Sequence, residues 1–158
     1  ERTSAALPST RALMFYHIPL KVCAPRRAAR ARTRGDDLTI VSWSQTVNFA
    51  VEAAETLAGE GIAAEVIDLR SLWPWDKNAV LDSVNKTGRL IVAHESVAVG
   101  GFGAEVVATV SEKVGVALQG RVRRLGAPRS LIAYAPTLED KMRVTAKMIA
   151  EAARDLMP

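Results

Sequence analysis

The sequence is poor in the residues that bind metals or form cross-links. It holds one cysteine, Cys23, and two histidines, His17 and His94, in 158 residues. A single cysteine excludes an internal disulfide and fits a reducing compartment. One cysteine and two histidines fall short of the ligand set a structural zinc site needs, so no metal site is expected. No apolar run approaches the roughly 20 residues that span a bilayer. Gly-Lys-Ser/Thr is absent, which removes the Walker phosphate loop, and no Gly-x-Ser-x-Gly nucleophile elbow occurs.

What is present is an apolar chain of globular composition, 49% hydrophobic and long enough for one domain. Its net charge of +4 is unevenly spread. Residues 1–35 hold eight Lys/Arg and one acid, Glu1, whereas thirteen basic and sixteen acidic residues follow from Asp36. The basicity belongs to an N-terminal arm or linker (1–35), set before a domain expected over 36–158. "RRAARARTR" (26–34) is Arg-rich like a transit peptide or a nucleic-acid arm. No aromatic residue interleaves with its arginines, which argues against base stacking and leaves a solvated arm as the plain reading.

From Asp36 strand-like and helix-like segments alternate. "LTIVSW" (38–43), "AEVIDL" (64–69) and "RLIVAH" (89–94) read as buried strands, and "VRRLGA" (122–127) as a weaker fourth. Val47, Val51, Ala54 and Leu57 recur at helical spacing, and Gly59 and Gly61 close that helix. Asp76 is placed to cap a helix carrying Val80, Leu81 and Val84, with Gly88 as its stop. Val106, Val107, Val110 and Val114 mark a third helix. Thr137 with Asp140 approximates a capping box for a short turn. Thr145 heads a last helix with Met148, Ile149, Ala152 and Leu156 expected inward. The alternation predicts a parallel sheet with helices on both faces.

Ligands of open α/β sheets gather outside the carboxyl ends of the strands, and "HESVAVGGFGAE" (94–105) lies at such an end. A dinucleotide loop from Gly101 would need glycine at 106, where valine stands. Ser96 can lie beside His94 on one strand face, but Glu95 points to the other, so a catalytic triad is not assembled from this stretch. The plain expectation for His94 is a strand-end histidine bonded to a neighbouring loop. Gly100 and Gly101 suit positive φ in a tight turn. Gly103 lets a helix start lie close to another backbone, and Glu105 suits the helix dipole. Phe102 is either a core plug or an anchor for a partner surface. Arg123, Arg124 and Arg129 form a possible anion site, or a solvated and ion-paired face. Trp43, Trp73 and Trp75 are either packed at a sheet edge or exposed as interface anchors.

Four stretches together, "GDDLTIVSWS", "AAETLAGEGIAAEVIDLRSLWPWD", "VNKTGRLIVAHESVAVGGFGAEV" and "YAPTLED", carry a resemblance. From about Ile18 to the end the chain resembles the C-terminal domain of transketolase-like proteins. It is most similar to that domain in the E1 β subunit of 2-oxoacid (pyruvate or branched-chain) dehydrogenase complexes. The resemblance implies a three-layer α/β/α domain, its sheet mostly parallel with one antiparallel strand. It implies a thiamine-diphosphate and magnesium enzyme that decarboxylates a 2-oxo acid, in the bacterial cytoplasm or the mitochondrial matrix. The implied partners are an E1 α-type subunit, a second β-type chain and the E2 core.

In that family the cofactor sits between the α subunit and the pyrimidine-binding domain that precedes this one. Residues 1–17 are too short to replace that domain, and no Gly-Asp-Gly signature for the magnesium diphosphate occurs. The resemblance therefore transfers no catalytic or cofactor-binding residue, and the chain alone is expected to bind no thiamine diphosphate. It implies instead a domain-interface loop at His94, Glu95, Gly100, Gly101, Phe102 and Gly103. It also implies a docking region at Gln119, Arg121, Arg129, Met157 and Pro158. The family's dock is usually acidic, whereas here Gln119 replaces a carboxylate and Arg129 stands at or near another, which weakens the case for an ordinary E2 partner.

Overall fold

Apolar, β-branched runs build the sheet. The computed structural model describes residues 28–120, 122–131 and 134–158. Strands β2 (Leu38–Ser42), β3 (Ala64–Asp68), β4 (Leu90–Val97) and β5 (Arg123–Ala127) follow the four expected runs. They are parallel, in the order β3-β2-β4-β5. Every residue of β2 is buried, as a central strand covered on both faces requires. A short strand, β1 (Arg30–Ala31), pairs antiparallel with β3. The architecture is the expected three-layer α/β/α sandwich with one antiparallel strand.

That antiparallel strand falls inside the stretch read as a solvated arm. Arg32 N donates to the Val66 carbonyl at 2.7 Å. Thr33 Oγ1 donates to Ala64 O at 2.8 Å and accepts from Val66 N at 3.0 Å. Composition concealed it because a short edge strand needs no apolar run, and charge on an edge discourages further pairing. Residues 1–27, with His17, Cys23, Arg26 and Arg27, lie outside the described residues.

Five helices cover the sheet: α1 (Thr46–Ala58), α2 (Lys77–Thr87), α3 (Gly103–Val114), α4 (Pro136–Met142) and α5 (Ala146–Arg154). Helices α1 and α5 pack on one face, over Ile40, Val66, Ile91 and Ala93. Helices α2 and α3 pack on the other, over Val41, Ile67, Leu90 and Val92. Each strand thus sends alternate residues into two separate cores. Thr39 is the polar exception under α2. Its hydroxyl lies 2.7 Å from both Ser83 Oγ and Thr87 Oγ1, so the buried groups satisfy one another.

Helix ends follow local chemistry where a cap is present. Asp76 Oδ1 accepts from Ala79 N at 3.1 Å, and Gly88 ends α2 with φ +68°. Thr145 Oγ1 accepts from Met148 N at 3.3 Å. Two expectations fail. Thr137 and Asp140 form no capping box: α4 starts at Pro136, with Ala135 as a cap lacking any side-chain bond. Proline's fixed φ and missing N–H supply the start that the box would have given. Met148, expected inward, is exposed. It occupies the first turn of α5, which overhangs the narrow β5 edge, while Ile149, Ala152 and Leu156 are buried.

Asp76 holds two elements at once, since its Oδ2 accepts from Ala29 N at 3.1 Å. Asp76→Ala is expected to cost about 1 kcal/mol of stability in urea unfolding. It should also speed amide exchange at Ala29, next to β1, more than at central β2.

Candidate functional site: the strand-end loop at His94

Strand β4 outlasts its regular pairing. Its register with β5 shifts between Ala93 and Val97, and the chain then turns through 98–102 into α3. Ala98 N donates to Ala127 O at 3.0 Å, which pins the turn to β5. Gly100 carries φ +78°, the left-handed conformation expected of it. Gly101 does not share that conformation. Its role is close approach instead: a Cβ there would stand 2.9 Å from His94 Cε1.

The imidazole of His94 is the centre of the loop. It is fully buried and stacks on Trp43, with centroids 5.0 Å apart at 14°. Three glycines close around it. A Cβ on Gly103 would meet Nε2 at 2.5 Å, and one on Gly126 would meet Cε1 at 2.8 Å. The expectation that Gly103 admits another backbone is thus corrected: what approaches it is a side chain. Phe102 resolves toward the core, half-buried and edge-on to Trp43 at 5.9 Å and to Trp75 at 6.3 Å. Glu105 sits in the first turn of α3, as expected.

Ser96 Oγ lies 2.9 Å from His94 Nδ1, the proximity that strand alternation implied. It does not make a nucleophile–base pair of use. Nε2 is buried without a hydrogen-bond partner among the described residues, so none of their acids orients the ring as a triad requires. Glu95 is exposed and faces the other side of the sheet. Burial pushes the His94 pKa below the usual histidine value, against the Ser96 backbone, which raises it, and the Arg124 charge adds to the lowering. The ring is a neutral spacer.

The other expected residues are dispersed. Gln119 N donates to Gly88 O at 2.8 Å and its side chain covers Gly88, at the amino end of β4. Met157 and Pro158 follow Leu156, whose carbonyl accepts from Arg89 Nε at 3.1 Å at that same end. Arg129 follows β5 and so lies at the opposite, carboxyl end. Arg121 lies outside the described residues. The arginines form no shared anion site: Arg123 pairs with Asp155 at 2.9 Å, six residues and a strand length from Arg129. Of the arm, Arg32 is drawn to Asp68 at 3.8 Å, and the nucleic-acid reading gains no support. Trp75 is buried and Trp43 stacks on His94, as the packed reading expects, whereas Trp73 is exposed.

Trp43 and Gly126 were not singled out as partners of His94. A glycine inside the strand-like "VRRLGA" was the available signal, since strand glycines mark close approach. Thiamine diphosphate with magnesium does not fit the described residues. A diphosphate-bound cation needs clustered oxygen ligands, and no group of three or more His, Cys, Asp or Glu is gathered among them. The buried Nε2 faces the Gly103 Cα rather than a cavity.

Gly103→Ala should therefore cost about 2 kcal/mol, because the stacked imidazole and the Val92 side chain leave a Cβ no room. The lowered pKa means that the fold prefers neutral His94. That share of stability is fully present above about pH 6.5, the unfolded value, and is lost as pH falls below it. Urea midpoints taken from about pH 7 to about pH 5 should fall. They should fall less in His94→Gln, measured relative to that variant's own value at neutral pH.

Comparison with known proteins agrees with this geometry. The family described as "Transketolase, C-terminal domain" matches residues 27–149, a span that takes in β1. The β subunit of 2-oxoisovalerate dehydrogenase of Bacillus subtilis (strain 168) is 35% identical over 133 residues, covering 84% of this chain and 41% of that one. The β subunit of the pyruvate dehydrogenase E1 component of Leifsonia xyli subsp. xyli is 48% identical over 101 residues, 64% of this chain and 30% of its own. Among solved structures, a split-gene transketolase described as an inactive β4 tetramer superposes with a TM-score of 0.72 at 30% identity. That match covers 83% of this chain and 41% of the other. The chain thus spans well under half the length of these relatives. It belongs to the transketolase C-terminal domain family, in the form found in E1 β-type subunits.

Proposed function

We propose that this chain serves as the C-terminal assembly domain of a 2-oxoacid dehydrogenase E1 β-type subunit and contributes no catalytic group of its own. It braces the neighbouring domain that, with an α-type subunit, holds thiamine diphosphate and magnesium, and it pairs with a second β-type chain. The observation that carries this reading is the carboxyl edge of the sheet. Loops after three successive strands expose large apolar side chains there: Trp73 at 80%, Val99 at 62%, Leu131 at 93% and Tyr134 at 103%. Isolated apolar residues are ordinary on a surface, but a run of them along one edge marks an interaction face. His94 lies directly beneath that edge, walled off, so the edge offers contact area and no reactive group. Gln119, Met157 and Pro158, at the opposite end, remain for a further subunit such as an E2 core.

Two measurements test this. Calorimetric titration of the chain with thiamine diphosphate and magnesium should give no saturable heat, and micromolar binding would sink the proposal. Trp73→Ser combined with Val99→Ser should weaken capture of an E1 α-type subunit by about tenfold or more, as loss of interface anchors does. Both side chains are exposed, so the melting temperature should not move. Undiminished capture by the double variant counts against the proposed face.

A further inference from the structure

Strand alternation that buries His94 under α3 turns Glu95 the other way, into a cleft on the α1 face. The cleft has a volume of ≈ 170 Å³. It lies outside the carboxyl ends of β4 and β5, between the first turn of α1 and α4. Strand β2 leaves the sheet toward α1 on this face, whereas β4 leaves toward α3 on the other. Such a switch point is where open α/β sheets take small ligands.

The cleft has a floor and two poles. Phe49, Ala127, Met142 and Val144 make an apolar floor. Glu95 makes a negative pole. Glu95 is exposed and engaged by no ion pair among the described residues. Arg143 makes the positive pole. Its Nη2 donates to Gln45 Oε1 at 3.1 Å, which sets the guanidinium beside the start of α1. Its contact with Glu139 is loose, at 3.7 Å, and a guanidinium has donors to spare beyond those two. Gln45, the N-cap of α1, makes no capping bond of its own, so the positive end of that helix adds to the same pole.

A ligand with one charge leaves one pole unanswered. A simple carboxylate would face Glu95, and a simple amine would face Arg143 and the helix start. We propose that this cleft binds a small apolar α-amino acid as its zwitterion. The ammonium rests on Glu95, the carboxylate on Arg143 at the head of α1, and the side chain on the apolar floor. The size agrees, since a closed cavity of about 150 Å³ accepts benzene and this cleft is open at one side for a polar head group. The site owes nothing to the assembly reading, and its lining includes none of Trp73, Val99, Leu131 and Tyr134.

The test uses the whole chain, labelled with ¹⁵N and titrated with L-valine, with isobutylamine and with isovalerate, which lack its carboxylate and its ammonium respectively. L-valine should shift the amide resonances of Gln45, Phe49, Glu95 and Val144 saturably. Each half-ligand should bind about tenfold more weakly, the worth of one charge-assisted contact. Glu95→Gln should weaken L-valine by about fivefold or more with an unchanged melting temperature, its side chain being solvent-exposed. No saturable shift with L-valine overturns the inference. So does isobutylamine or isovalerate binding as tightly as the amino acid, or an undiminished affinity in Glu95→Gln.

Discussion

One imidazole occupies the space that three side chains would otherwise fill. His94 ends the regular part of β4, and Gly101, Gly103 and Gly126 close on its ring from the turn, from α3 and from β5. Trp43, at the end of β2, completes the enclosure by stacking. Strands β2, β4 and β5 and helix α3 therefore meet at a single neutral ring. A Cβ would meet backbone at Gly101 and Gly126, and the imidazole with Val92 at Gly103, and a close-packed interior gives little room for any of these to shift. Placement of the turn, and of every exposed residue on it, follows from this contact.

The same strand end serves two purposes because a strand has two faces. His94 goes into the α2–α3 core, where its charge would be costly and is suppressed by burial. Glu95, one residue on, faces solvent and the α1 side. The turn that follows lifts Val99 outward, at the same end of the sheet as the exposed Trp73 in the loop after β3. Interior packing, a polar cleft and an apolar contact edge thus lie within a few residues of one another. The fold keeps Ser96 beside His94 and sends Glu95 to the other face, as strand alternation implied.

Much of the fold was legible in the chain. The four buried strands, the caps at Asp76 and Thr145 and the stop at Gly88 are local signals, and local hydrogen bonds realise them. The failures share a cause. Thr137 and Asp140 had the letters of a cap, but Pro136 already defined the helix start. Met148 fell on the apolar stripe of α5, yet the sheet beneath it ends at β5. The strand at Arg30 was hidden in an arginine-rich segment because its hydrogen bonds come from β3, nearly forty residues away in the chain.

The sequence by itself determined the order of strands and helices, the double-sided burial of the sheet and, through its diagnostic stretches, the family. These depend on periodicity, on caps and on residues close together in the chain. Only the tertiary structure decided what the stretch at 94–105 does. It took Trp43 and Gly126, distant in sequence, to turn a plausible catalytic histidine into a sealed spacer. It took the order β1-β3-β2-β4-β5 to bring Glu95 and Arg143 to one cleft. Enclosure and charge opposition belong to three-dimensional neighbours, and no spacing along the chain encodes them.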